Sequence, residues 1–329
     1  MNKLGLIALG IVVAGMASAQ SIYIPNRKIS DQGINLKGWG SGTISENDEV
    51  FVEGAYSLQV TTRNYFQGGM INLTKPVDLS SAFGDKNNLL RFAIRSSGEK
   101  AKFATTVGRP GAGGGPSSAG SGAGGGGLAG GEGGGGAQGG RDGGGAAGGG
   151  AAAPQGTTIA TDAVLRTIRL VVTTTDGLKS EAYLNVRATG AEAWRNFSLP
   201  LGAIKGFDRT NKTVQSIAVS GDAISTFYIG DIRVVNDTTP ISGEMNHKSD
   251  MNLALGDERE FIAYGFAGST PLKYTWDFDD SDGVQVDAEG QTVKFKFRKP
   301  GVFKVTLTVS DAYGNKKPYT SSVKVTINP

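Results

Sequence analysis

Tyr274-Thr275-Trp276-Asp277-Phe278-Asp279-Asp280, followed by Gly301-Val302-Phe303-Lys304-Val305-Thr306-Leu307-Thr308-Val309-Ser310-Asp311, decides how the C-terminal part of the chain folds. The first run is an aromatic-rich strand that ends in an acidic turn. The second follows a proline-glycine turn and alternates with a period of two. Phe303, Val305, Leu307 and Val309 fall on one face, while Lys304, Thr306 and Thr308 fall on the other, the pattern of a sandwich strand with one buried side.

These residues resemble the polycystic-kidney-disease (PKD) repeat, an immunoglobulin-like module of extracellular proteins. The family pattern W-D-F-G-D-G appears with Asp279 in place of its first glycine, and Ser281-Asp282-Gly283 completes the turn. The resemblance runs from about Ile241 to Pro329. It implies a β-sandwich that spaces, docks or presents other domains.

Location is written at the other end. Asn2-Lys3 is a short basic start, Leu4 to Ala14 is an apolar run interrupted only by glycine, and Ala17-Ser18-Ala19 fits a small-x-small cleavage site. Residues 1–19 read as a secretory signal peptide cut before Gln20. The apolar run is shorter than the roughly 20 residues that cross a bilayer. The expectation is a secreted, cell-surface or periplasmic protein. The chain has no cysteine, so its stability must come from packed cores or bound ions, not disulfides. A formal charge of +3 over 329 residues, with no basic stripe, argues against nucleic acid as a partner.

Half of the 52 glycines lie between Gly108 and Gly156. That tract has almost nothing large to bury and cannot repay the entropy of ordering, so a disordered insertion over 108–156 is expected. It lacks the G-x-x-x-x-G-K-S/T spacing of a phosphate loop. Strand-like segments flank it on both sides: Ser21 to Ile24, Tyr56 to Thr62, Gly69 to Leu73, Leu89 to Arg95 and Ala101 to Val107 before it; Val164 to Thr174, Glu181 to Arg187, Trp194 to Leu199, Val214 to Val219 and Thr226 to Val235 after it. About ten strands suit a single two-sheet jelly roll over 20–240. Closing a loop of about fifty residues costs roughly 3 to 4 kcal/mol plus a constant, which a domain of that size can carry.

Glu53-Gly54-Ala55-Tyr56-Ser57-Leu58-Gln59-Val60 resembles the G-x-x-S-L-x-V strand of carbohydrate-binding modules with a galactose-binding-like jelly roll. Pro76-Val77-Asp78-Leu79-Ser80 and Leu89 to Arg95 resemble that family's P-V-D-L-S loop and the strand after it. Trp194 to Leu201 resembles its W-x-x-x-x-x-P-L segment, and Thr226 to Val234 its closing strand. The resemblance implies that elements of one domain lie on both sides of the glycine tract. In this family a structural calcium is common and an acid in the closing strand helps to hold it. Gly230 stands at that acid's place here, and Asp231 follows it.

Chemistry-bearing residues are few. The one histidine, His247, sits in the expected linker, so neither a Ser-His-Asp arrangement nor a histidine zinc site can be assembled. A carboxylate pair about 5 to 10 Å apart is the remaining catalytic route, but the acids fall in turn-like clusters, and no enzyme is expected. Calcium suits such oxygens better, with Asp48, Glu49 and Asp231 as candidate ligands and no other cofactor. Sugar recognition needs rings that lie against pyranose faces, flanked by polar side chains. Trp39, within Gly38-Trp39-Gly40, and Arg63, Asn64, Tyr65 and Gln67, around Tyr65-Phe66, have that composition. Trp194 reads as core, as does Trp276.

The reading is therefore all-β: a jelly-roll β-sandwich over 20–240 with a disordered Gly-rich insertion, then an immunoglobulin-like PKD β-sandwich over 241–329. The expected function is carbohydrate binding or adhesion on an extracellular or cell-envelope polysaccharide. The alternative is a structural cell-surface or matrix protein that meets other surface proteins.

Overall fold

A computed structural model describes residues 20–97, 164–186, 193–283 and 285–329. The expected signal peptide, the strand at Ala101 to Val107 and the glycine tract at 108–156 lie outside the described residues.

Among the described residues, eleven strands build the N-terminal sandwich: β1 (Gln20–Tyr23), β2 (Ile34–Trp39), β3 (Thr43–Asn47), β4 (Ser57–Thr62), β5 (Gly68–Asp78), β6 (Asn88–Ser96), β7 (Thr167–Thr174), β8 (Lys179–Asn185), β9 (Arg195–Pro200), β10 (Thr213–Gly221) and β11 (Ser225–Asn236). A one-turn helix, α1 (Ser80–Phe83), follows β5. One sheet has the order β3-β4-β11-β6-β9, with β1 also on β11; the other has the order β2-β5-β10-β7-β8. Both sheets combine strands from before residue 98 with strands from after residue 163. The chain passes back and forth between them, as in a jelly roll.

Alternation explains the packing. In β7, Ile168, Leu170 and Val172 are buried while Thr167, Arg169, Val171 and Thr173 are less so. The inward set joins Leu58, Val60, Ile71, Phe92, Ile94, Ile217, Phe227, Ile229 and others in one apolar core. Strands from before residue 98 and from after residue 163 therefore share a hydrophobic interior, and the hydrophobic effect, about 25 cal/mol per Å² of apolar surface buried, holds them together.

Two strands were not expected from the sequence. β2 reads Ile-Asn-Leu-Lys-Gly-Trp and β3 reads Thr-Ile-Ser-Glu-Asn, each with a weak apolar phase beside glycines. They form because β5 and β4 offer them paired edges, Ile34 opposite Leu73 and Ile44 opposite Val60. Glycines allow the close approach. A Cβ on Gly68 would stand 2.0 Å from the Val219 carbonyl oxygen, and one on Gly69 2.4 Å from Ile44 Cβ. Gly68→Ala is expected to lower stability by about 1 to 3 kcal/mol; an unchanged urea midpoint would contradict this packing.

The C-terminal module follows the short link 237–241. Its strands are β12 (Ser242–Met245), β13 (Met251–Ala254), β14 (Glu258–Phe266), β15 (Leu272–Asp277), β16 (Ala288–Glu289), β17 (Thr292–Lys296), β18 (Gly301–Asp311) and β19 (Tyr319–Asn328). They form sheets of order β12-β14-β17 and β13-β19-β18-β15-β16, in which β13 runs parallel to β19. Val305, Leu307 and Val309 are buried and Phe303 packs at the rim, as the alternation requires. Trp276 is at the centre, its indole N–H donating to the Gly290 carbonyl at 2.9 Å. The acidic turn is held by itself: Asp277 accepts from the backbone N–H groups of Asp279 and Gln285, and Asp287 accepts from that of Phe278.

His247 departs from its expected place in a linker. It lies inside this module, packed edge-on against Phe261 at 5.4 Å, with its Nε2 3.0 Å from the Glu260 carbonyl oxygen. The sequence placed the link too far along because Ser242 to Met245 is short and carries glycine, yet pairs with the end of β14.

The two sandwiches belong to one compact unit, joined at Asp237. Its carboxylate accepts from the backbone N–H groups of Thr239, Ser269 and Thr270 and from the Thr270 hydroxyl, all within 3.0 Å. Lys316 Nζ stands 3.1 Å away and also donates to the Thr239 and Ala267 carbonyls. Burial works against ionisation of Asp237, but the bonds from Thr270, Lys316 and Thr239 outweigh it and hold the carboxyl below the usual carboxylate range.

Candidate functional site

Side chains of the β2-β5-β10-β7-β8 sheet that do not enter the core form its outer face. Pairing registers set them in rows. One row runs Trp39, Gly68, Ser220, Arg169, Tyr183, because Trp39 pairs with Gly68, Gly68 with Ser220, Ser220 with Arg169 and Arg169 with Tyr183. The segment between β4 and β5, which carries Arg63 to Gln67, folds over this row. Asn64 shapes the turn: its Oδ1 accepts from the Phe66 N–H at 2.9 Å, and its backbone bridges Gln67. Arg63 N–H donates to the Gln67 carbonyl, and the Gln67 side chain packs where Gly40 leaves room, so that a Cβ there would meet its Cγ at 2.8 Å.

The turn is pinned through Tyr65. Its carbonyl accepts from the Ser220 hydroxyl at 2.7 Å and from Arg169 Nη1 at 3.2 Å. The Arg169 guanidinium lies 5.1 Å from the centre of the Phe66 ring and 5.7 Å from that of Trp39, and pairs with Glu181 at 2.8 Å. Tyr65 meets Tyr183 edge to face at 5.7 Å. Phe66 remains 66% exposed and Tyr183 50% exposed. The result is a ridge of four rings set around one neutralised arginine. Beside it, the next rows set Ala218 between Met70 and Val171, and Ser216 between Asn72 and Thr173. Exposed rings held in fixed orientation, next to polar groups, can stack on an apolar ring face while hydroxyls find partners.

Sequence reasoning brought forward Trp39, Arg63, Asn64, Tyr65 and Gln67, and the structure gathers them at one end of this sheet. It missed Arg169 and Tyr183. Alternation in β7 and β8 puts both outward, but only the cross-strand register sets them opposite Trp39 and Tyr65.

The calcium candidates are placed differently. Asp48 and Glu49 are exposed in the turn after β3, where Asn47 Oδ1 accepts from the Glu49 and Val50 N–H groups. Asp231 is buried in β11, with its Oδ2 2.6 Å from Arg233 Nε and 3.0 Å from Arg91 Nη2. Two guanidinium groups already supply the positive charge a calcium ion would bring, so Asp231 does not fit that role. Among the described residues no group of three or more acids or histidines is arranged to hold a metal ion. Near Asp231, the buried Tyr23 hydroxyl is pushed up by burial and by the charges of Glu46 and Asp231.

Gly230 has its own reason to be glycine. The ladder shifts register between Ile229 and Asp231, and a Cβ on Gly230 would stand 2.6 Å from Val52 Cγ1 and 2.9 Å from Trp194 Cζ3. Trp194 thus lies over β11 on the outside of its sheet and is not among the core residues, contrary to its reading as core. The preceding Glu-Ala pair and the strand that follows share no alternation with it, and the glycine it covers is thirty-six positions away in sequence.

Among the described residues no helix is long and apolar enough to cross a membrane. The chain is similar in structure to a β-1,2-glucanase from Parabacteroides distasonis, at 13% identity and TM-score 0.33 over 94% of this chain and 38% of that one. It is also similar to the CBM22-1 and GH10 modules of Clostridium thermocellum xylanase 10B complexed with xylohexaose, at 7% identity and TM-score 0.30 over 74% and 33%. The PKD domain of human KIAA0319 matches 28% of this chain over 85% of its own, at 20% identity and TM-score 0.23. The chain spans only about a third of the length of the two bacterial enzyme chains. Residues 244–327 match the family model described as the PKD domain, and the C-terminal sandwich of this chain is accordingly of the PKD kind.

Proposed function

We propose that this is a secreted, non-catalytic protein that binds an extracellular or cell-envelope glycan through its N-terminal jelly roll and uses the PKD module as a spacer. The observation that carries the reading is the ridge of Trp39, Tyr65, Phe66 and Tyr183 fixed around Arg169 on a sheet face. Arg169 is neutralised by Glu181, so the ridge favours a neutral ring over an anion. The rings stack on the sugar, and Arg63, Asn64 and Gln67 lie in the adjoining turn, where their polar ends can meet hydroxyls.

Co-sedimentation with insoluble polysaccharides tests this reading. Trp39→Ala and Tyr65→Ala are each expected to weaken retention by about 2 kcal/mol, about thirtyfold in affinity, with little change in unfolding midpoint for Trp39→Ala because its ring is partly exposed. Retention that survives both substitutions would contradict the placement.

A second reading, a structural surface protein that meets other proteins, has its own observation. Tyr264 and Phe266 stand outward on β14 of the PKD module, 49% and 62% exposed. Retention on envelope material that Tyr264→Ser with Phe266→Ser removes, and that sugars do not compete, would favour it.

A further inference from the structure

A cleft of about 510 Å³ opens where the two sandwiches meet, lined from the N-terminal side by Tyr183, Asn185, Asn196 and Ser198 and from the PKD side by Leu272 and Tyr313, among others. Its size falls within the roughly 300 to 1,000 Å³ of small-ligand sites, which occur preferentially at domain interfaces. We propose that this cleft is a second subsite for a neutral oligosaccharide, continuous with the aromatic ridge. The inference rests on the glycan-binding reading of that ridge.

Three observations carry it. Among the described residues none that lines the cleft is charged. A neutral lining of aromatic, amide and hydroxyl groups suits a polyol, since an anion or a cation would lose its hydration without an opposite charge to replace it. The second observation is a pair of exposed rings, Tyr183 at 50% and Tyr313 at 40%, one from each sandwich. A pyranose face can lie against either ring.

The third observation is continuity. Tyr183 belongs to both places: its ring meets Tyr65 on the sheet face, and it lines the cleft. It ends the row that begins at Trp39, four strand spacings or roughly 19 Å away, on β8 at the edge of the sheet. A linear chain bound along the ridge leaves the sheet at Tyr183 and enters the cleft, where Tyr313, held at the start of the turn after β18 by its N–H bond to Asp311, supplies the next ring. The Asp237–Lys316 joint fixes the two walls relative to each other.

The test uses the full chain and neutral β-glucan and xylan oligosaccharides from disaccharide to octasaccharide, with affinity read by calorimetry. The wild type is expected to bind the longest fragments at least about tenfold more tightly than those that cover the ridge alone, about 1.4 kcal/mol. Tyr313→Ala and, separately, Asn196→Asp should remove that gain while leaving affinity for the short fragments unchanged, which also reports that the variants are folded. Trp39→Ala should weaken binding at every length. Affinity that does not grow with length, or a gain that survives both cleft substitutions, overturns the cleft subsite and leaves the ridge standing. If the wild type binds no fragment at any length, the ridge reading fails and the cleft falls with it.

Discussion

Lys316→Met is expected to destabilise the docking of the two sandwiches by about 3 to 5 kcal/mol, because it leaves the Asp237 carboxylate buried without its cation. The Asp237 and Lys316 side chains are 5% and 10% exposed, so water cannot replace the lost partner. The N–H groups of Ser269 and Thr270 still hold the carboxylate, and the protein can relieve the strain only by parting the modules or protonating the acid. Small-angle scattering should report a larger radius, and limited proteolysis should cut near the link. The same joint makes docking acid-sensitive. A carboxyl held below its unfolded value of about 3.9 stabilises the native state above that pH, and the contribution is lost as pH falls through the lower, folded value. Stability that stays flat between neutral pH and about pH 4, then falls more steeply in the wild type than in Asp237→Asn, fits this account. A Lys316→Met protein with wild-type radius and unfolding midpoint would contradict it.

Trp276→Ala should cost the PKD module about 3 to 5 kcal/mol. The indole is fully buried, tilted against Phe261 with ring centres 5.8 Å apart, stacked with Phe278 at 6.3 Å, and bonded to the Gly290 carbonyl. Truncation opens a cavity against Phe261 and Phe278; the Phe278 ring is itself packed against Phe261, Phe295 and Phe297, so these rings refill it only in part. It also leaves the Gly290 carbonyl without its donor. Unfolding of the module followed by denaturant should shift by that amount, whereas a loss below about 1 kcal/mol would show that the indole is not the centre of this core.

Much of the fold was legible because strands declare themselves by alternation. β18 did so with Val305, Leu307 and Val309, and β6, β7, β10 and β11 did so with long apolar phases. β2 and β3 were not legible: Lys37, Gly38, Ser45 and Glu46 break their apolar phase, and the strands exist because a paired neighbour waits for them. At the candidate site, local composition pointed to Trp39 and to the turn around Tyr65. Arg169 and Tyr183 were hidden because their roles come from register across four strand pairs, which no local window contains. Trp194 was misread for the same reason, since its place is fixed by a bulge at Gly230 on a distant strand. The joint at Asp237 was also invisible, because its partners Ser269, Thr270 and Lys316 are more than thirty residues away.

The chain has three tryptophans in three different settings: Trp39 on the aromatic ridge, Trp194 over Gly230 and Trp276 in the PKD core. Their indole N–H signals in a nuclear magnetic resonance spectrum, assigned by single substitution, therefore report on separate parts of the molecule. Titration with soluble fragments of a retained polysaccharide should shift the Trp39 signal and leave that of Trp276 in place. A Trp39 signal that does not move under saturating glycan, or a response confined to Trp194 or Trp276, would contradict sugar binding at the ridge.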